Sequence, residues 1–233
     1  MDRVTRKELK RDKFALEVQH GLEYVTSHRQ MMIRYGIIGG VVILLIVAFF
    51  LYRRHESGVR EEALETAMKA QLASVGPAQT EWAIAYPTEA DRDKATLKAW
   101  TDLANRFPGT TEGMVAEYFL GSRAADAGKL DEAVKHFQKA IDSGSSDYSS
   151  LAKLALAQLY GAQGKLAEGE KLLQSLIDHP TVMVSKDAAT IALAHLIAHS
   201  DPARARKLVE PLRGSDRTEV SQAALRALAD IPK

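Results

Sequence analysis

The chain has 233 residues, room for one ordinary domain and an appendage, and its 31 Lys and Arg against 30 Asp and Glu leave a formal net charge of +1. So small a charge exerts no general pull on nucleic acid or acidic partners. Hydrophobic residues are 46% of the sequence, aromatic residues 6%, and cysteine is absent, which excludes disulfides, thiolate metal sites, a cysteine nucleophile and a lipid-modified cysteine within it.

Residues 1–34 form a basic tail. Phe14, Val18, Leu22 and Val25 recur at helical spacing, which predicts an amphipathic helix lying on a membrane surface or docking on a cytoplasmic partner. From Gly36 to Tyr52 no residue is charged. Its roughly 17 residues, with Tyr35 and Ile33, cover most of a ~30 Å hydrocarbon layer at about 1.5 Å per residue. A transmembrane helix over 35–52 is the reading, with Tyr35 and Tyr52 at the interfaces and Arg34, Arg53 and Arg54 closing the ends. A cleaved signal peptide fits less well, because Arg-Arg-His-Glu follows where a small-x-small site belongs. The tail carries eight Lys and Arg, although beside the span Arg53, Arg54 and Arg60 outnumber Arg29 and Arg34. Trailing domains translocate largely regardless of charge, so the tail favours a cytoplasmic N-terminus and an extracytoplasmic C-terminal domain. Gly36 and Gly40 form a small-xxx-small pair of the kind that packs membrane helices closely, leaving a homodimer open.

Residues 53–111 read as a helical extension, a loop and a degenerate repeat. The helix runs on through residue 75, since no breaker precedes Gly76-Pro77. Gly76 to Tyr86, with Trp82, reads as irregular loop, and a loop this long within a helical array is unusual. Pro87 and Thr88 open the next helix, with Thr88 and Asp91 at capping-box spacing. Thr96, Trp100, Leu103 and Pro108 fit the second helix of a degenerate pair.

Residues 112–214 hold three units. Turns at Gly128, Gly164 and Ser200 lie 36 residues apart. Leu120, Gly121 and Ala124 precede the first turn, and Ala133, Phe137 and Ala140 follow it. Leu156, Ala157 and Tyr160 precede the second, followed by Gly169, Leu173 and Leu176. Ala192, Leu193 and Leu196 precede the third, followed by Ala205, Val209 and Leu212. Small residues mid-helix let two backbones approach, and larger neighbours fill the space beside them. Gly128 and Gly164 suit the left-handed conformation that ends a helix, whereas Asp201-Pro202 turns with an N-cap and a first-turn proline. A helix over 216–230, within the terminal segment 215–233, caps the far end.

The stretch GKLDEAVKHFQKAI, with Gly128, Ala133, Phe137 and Ala140, resembles the turn and second helix of a tetratricopeptide repeat. The resemblance implies that an α-solenoid of helical hairpins that binds proteins follows the N-terminal transmembrane helix, which makes the chain all-α. It also implies that the concave wall comes from the first helix of each pair. Here the register places Val115, Tyr118, Ser122, Leu151, Leu154, Gln158, Thr190, Ala194 and Ile197 on that wall. The set lacks Lys, Arg and Asn to clamp a peptide carboxylate and offers an apolar trough for a hydrophobic segment. The chain's own C-terminal helix or its 76–87 loop is the alternative occupant. In layout, a short basic tail, one span and a small repeat array resemble the YfgM-like ancillary subunits of the bacterial SecYEG translocon. That likeness implies a bacterial inner membrane location and partners among the translocon, periplasmic chaperones and unfolded clients.

Chemistry is sparse. His195 and His199 are four apart on one helix, but Leu196 stands where the metalloprotease motif has Glu, and no third ligand is evident. A solvated or packed pair is the plainer reading, and a metal-dependent hydrolase the remote one. No phosphate loop, catalytic triad or basic-aromatic stripe occurs, so neither an enzyme, a cofactor nor a nucleic-acid partner is expected. A binding module at a translocon and a constitutive subunit of an envelope complex are the two readings.

Overall fold

A computed structural model describes residues 29–77, 84–142 and 146–232. The amphipathic helix expected before residue 29 lies outside the described residues. The chain divides into two compact units, 1–58 and 59–233.

Helix α1 is Arg29–Leu72, 44 residues without a break. Between Ile33 and Tyr52 its side chains are exposed all round, Ile37 by 62%, Leu44 by 68% and Phe50 by 66%. Its most apolar 18-residue stretch has mean hydropathy 2.5, and the helix is long and apolar enough to cross a membrane. The helix stops at Leu72, three residues short of the expected 75. The segment beyond it is not wholly irregular. Strands β1 (Ser74–Val75) and β2 (Ala85–Tyr86) pair in parallel, with Ser74 N–H donating to Ile84 C=O (3.2 Å) and Gly76 N–H to Tyr86 C=O (2.9 Å). Backbone pairing closes the base of the loop, a feature that two-residue strands leave no periodicity to reveal.

The remaining described residues form helices in antiparallel succession: α2 (Glu89–Arg106), α3 (Thr111–Asp126), α4 (Leu130–Asp142), α5 (Ser146–Ala162), α6 (Leu166–Asp178), α7 (Lys186–Ile197), α8 (Pro202–Val209) and α9 (Thr218–Asp230). Each packs on the next, and α3 also touches α5 as α5 touches α7, the stacking of a solenoid of hairpins. Thr88 caps α2: its hydroxyl accepts the Asp91 N–H at 3.1 Å and donates to the Asp91 carboxylate at 2.7 Å.

The expected turns are present with matching geometry. Gly128 and Gly164 have φ of 72° and 74°. Lys129 N–H donates to Ala124 C=O and Lys165 N–H to Tyr160 C=O, both at 2.8 Å, the long bond of a left-handed helix termination. At the third turn Asp201 Oδ1 accepts the Arg204 N–H at 3.0 Å and Pro202 starts α8. Helix α8 has 8 residues where α4 and α6 have 13. Pro211 has no N–H to continue the ladder, and Glu210–Gly214 tightens into a 3-10 turn.

Small residues sit where the helices touch. Ala133, Ala140, Ala157 and Ala205 are fully buried. A Cβ on Gly121 would lie 2.8 Å from the Phe137 ring. The degenerate pair is held by larger groups: Trp100 is fully buried among Ala67, Leu103 and Val115, its Nε1–H donates to Gln71 Oε1 at 2.8 Å, and its ring stacks on Phe119 at 4.5 Å. Arg60 Nε approaches Glu112 Oε2 at 3.2 Å, tying the end of α1 to α3. At the far end α9 covers α7 and α8, burying Ala224 and Ala227, and Arg206 donates to the Ile231 carbonyl at 2.7 Å.

Replacing Ala133 with Leu should overpack the α3–α4 contact and cost roughly 1–3 kcal/mol. Thermal unfolding measures it, and an unchanged melting temperature would contradict the packing described.

Candidate protein-binding wall

The nine wall positions divide by burial. Val115, Ala194 and Ile197 are buried at 4%, 0% and 3% exposure, and the structure takes them off the accessible surface. Val115 packs beside Trp100 and Leu103, while Ala194 and Ile197 share a core with Ala224 and Ala227 of α9. The C-terminal helix packs on α7 in that core, whereas Thr190, the third wall position on α7, is only half-buried. Tyr118, Ser122, Leu151, Leu154 and Thr190 are half-buried, and Gln158 is exposed. Tyr118 makes edge contacts with Phe119 and Tyr148, at 5.6 and 6.1 Å between ring centres, and packs on the core of the first repeat, whereas Leu151 and Leu154 pack on the core of the last. Ser122 and Thr190 spend their hydroxyls on the carbonyls of Tyr118 and Lys186, one turn back.

Gln158 opens into a crevice of about 450 Å³ between α5 and α7, with a floor of Ala157, Leu173, Ala192 and Leu196. His195 and His199 line it too. Both are exposed, so the packed reading of the pair is excluded, and His199 lies past the end of α7 at Ile197 rather than within the helix. Spacing alone indicated that the two histidines shared a side; which side required the register of α7 against α5.

A polar cluster that the repeat pattern did not single out joins α3 to α4. Glu117 accepts from His136 Nδ1 at 2.6 Å and from Lys139 Nζ at 3.2 Å. Burial pushes the Glu117 carboxyl up, but the hydrogen bonds and charges of His136 and Lys139 outweigh it and hold the carboxyl below its ordinary value. The sequence signal was the three-residue spacing of His136 and Lys139, which puts both on one face of α4. Among the described residues no group of three or more His, Asp or Glu could hold a metal ion.

Residues 31–188 match the family described as tetratricopeptide repeat-like domain. The chain belongs to that family. Neither a curated protein nor a solved structure matches it. Tetratricopeptide repeat-like domains are protein–protein interaction scaffolds and typically non-catalytic, so the general partner of this chain is another protein.

Because its folded-state value is lowered, Glu117 contributes stability above its unfolded value near 4.5 and loses it as pH falls through the lower folded value. The melting-temperature gap between the native chain and Glu117→Gln should therefore narrow below pH 4.5. A gap that persists unchanged into stronger acid would contradict the pairing.

Proposed function

We propose that the chain is a membrane-anchored scaffold of the bacterial inner membrane, with its N-terminus in the cytoplasm and its repeats outside. There it assists secretion by holding clients or chaperones at a translocon. The observation that carries the reading is one chain combining an apolar helix exposed all round between Ile33 and Tyr52 with a tetratricopeptide repeat-like domain. Water does not tolerate so large an exposed apolar surface, whereas a bilayer does. The basic tail supports the orientation, and the layout of tail, span and small array supports the translocon. Ser122, Gln158 and the half-buried Tyr118, Leu151, Leu154 and Thr190 are the proposed contacts. They suit a hydrophobic segment rather than a charged terminus.

Protease added to spheroplasts should degrade the repeats and spare an N-terminal tag; protection of the repeats would reverse the orientation. Mild-detergent extraction should recover translocon subunits together with varied clients. The variant Ser122→Glu with Gln158→Glu places two negative charges at equivalent positions on α3 and α5. It should lose the clients without a change in melting temperature. Recovery of one stoichiometric partner, unaffected by those charges, would favour a constitutive envelope subunit instead.

A further inference from the structure

The crevice between α5 and α7 has properties that a wall for apolar segments does not require. Its residues are Ala157, Gln158, Gly161, Leu173, Ala192, His195, Leu196 and His199, with no Lys, Arg, Asp or Glu among them. Two helices end beside it: α5 at Ala162, one residue past Gly161, and α7 at Ile197, between the two histidines. The polar side chains lining it, Gln158, His195 and His199, carry nitrogen and oxygen atoms of the kind that bind metal ions. Among the described residues neither the His195 ring nor the His199 ring has a hydrogen-bond or ion-pair partner in the chain, and both are exposed.

We propose that His195 and His199 together bind one divalent transition-metal ion, of the Zn²⁺, Ni²⁺ or Cu²⁺ type, at the mouth of this crevice. Imidazole nitrogen suits these ions, whereas Mg²⁺ and Ca²⁺ require oxygen ligands and should be rejected. Helical backbone continues from α7 through Ala198, whose φ and ψ are −51° and −37°, so the two rings are carried by a single ordered segment. Once one imidazole holds the ion, the second binds it intramolecularly, which raises affinity over a lone histidine. Two protein ligands leave coordination positions unfilled. The Gln158 side-chain oxygen on the opposite helix, water, or a donor from a docked protein can fill them. The site rests on the crevice alone and stands apart from the translocon reading.

The test is calorimetric titration of the untagged full chain in detergent with Zn²⁺ and Ni²⁺, alongside His195→Ala, His199→Ala and the double variant. Both side chains are exposed, so the variants should melt as the native chain does without metal. The native chain should bind one ion at a site that each single variant weakens by about 100-fold, the size of the lost intramolecular advantage. Zn²⁺ should raise the melting temperature of the native chain and not of the double variant, and Mg²⁺ should raise neither. With one equivalent of Cu²⁺, electron paramagnetic resonance should report coordinated imidazole nitrogen in the native chain and lose it in the double variant. Binding of the same stoichiometry and affinity in native and double variant, or no binding by the native chain, would overturn the proposal.

Discussion

Two helix backbones can approach closely only where one of them carries almost no side chain, and the repeat region depends on that approach. At Gly121 a methyl group would sit 2.8 Å from the Phe137 ring, and at Gly169 it would sit 2.9 Å from the Ala157 carbonyl. The glycine changes helices between the two units. In the first it is in α3, facing α4 with its buried Ala133; in the second it is in α6, facing α5 with its buried Ala157. Either arrangement puts a small residue where the paired helix presses in, so the physical requirement is a small residue on one side of the hairpin rather than glycine at one fixed place. The third unit meets it with the buried Ala205 alone, beside a shortened α8.

The remaining packing is set by that approach. Close hairpins leave their large residues, Phe137, Leu156, Leu173 and Leu176, to fill the space between layers, and these are nearly fully buried. Stacked layers expose the outer faces of the terminal pairs, and α9 covers the last one, anchored by Arg206 on the Ile231 carbonyl. Layers repeated at fixed spacing also generate crevices between successive first helices. The one beside Gln158 has an apolar floor because the small residues that allow close packing, Ala157 and Ala192, also leave room above it.

The sequence made the helical hairpins legible because their signals are local or strictly periodic. Gly128 and Gly164 required only a positive φ, and Thr88 only a hydroxyl one residue before a helix. The exposed apolar stretch of α1 was equally plain, since the span from Gly36 to Tyr52 contains no charge. Less was visible where two distant segments decide an outcome. The β1–β2 pair rests on backbone bonds between residues ten or so apart with no alternation to mark them. Val115, Ala194 and Ile197 occupied wall positions by register, yet the neighbouring Trp100 and the C-terminal helix bury them. Register gives the direction of a side chain and not what lies over it. The Glu117 cluster is not legible in the sequence for the same reason, because its carboxylate and its partners lie on different helices.

Gly121 and Phe137 interlock across the first hairpin, and a double-mutant cycle tests that contact most directly. Chemical denaturation of the native chain, Gly121→Ala, Phe137→Leu and the double variant gives the coupling between the two sites. If the Phe137 ring occupies the space a methyl group would need, the alanine should be less costly once that ring is gone. The coupling should then lie within about 0.5–3 kcal/mol, as for residues in direct contact. Strictly additive effects would mean that the two residues do not touch, and the hairpin register would be wrong.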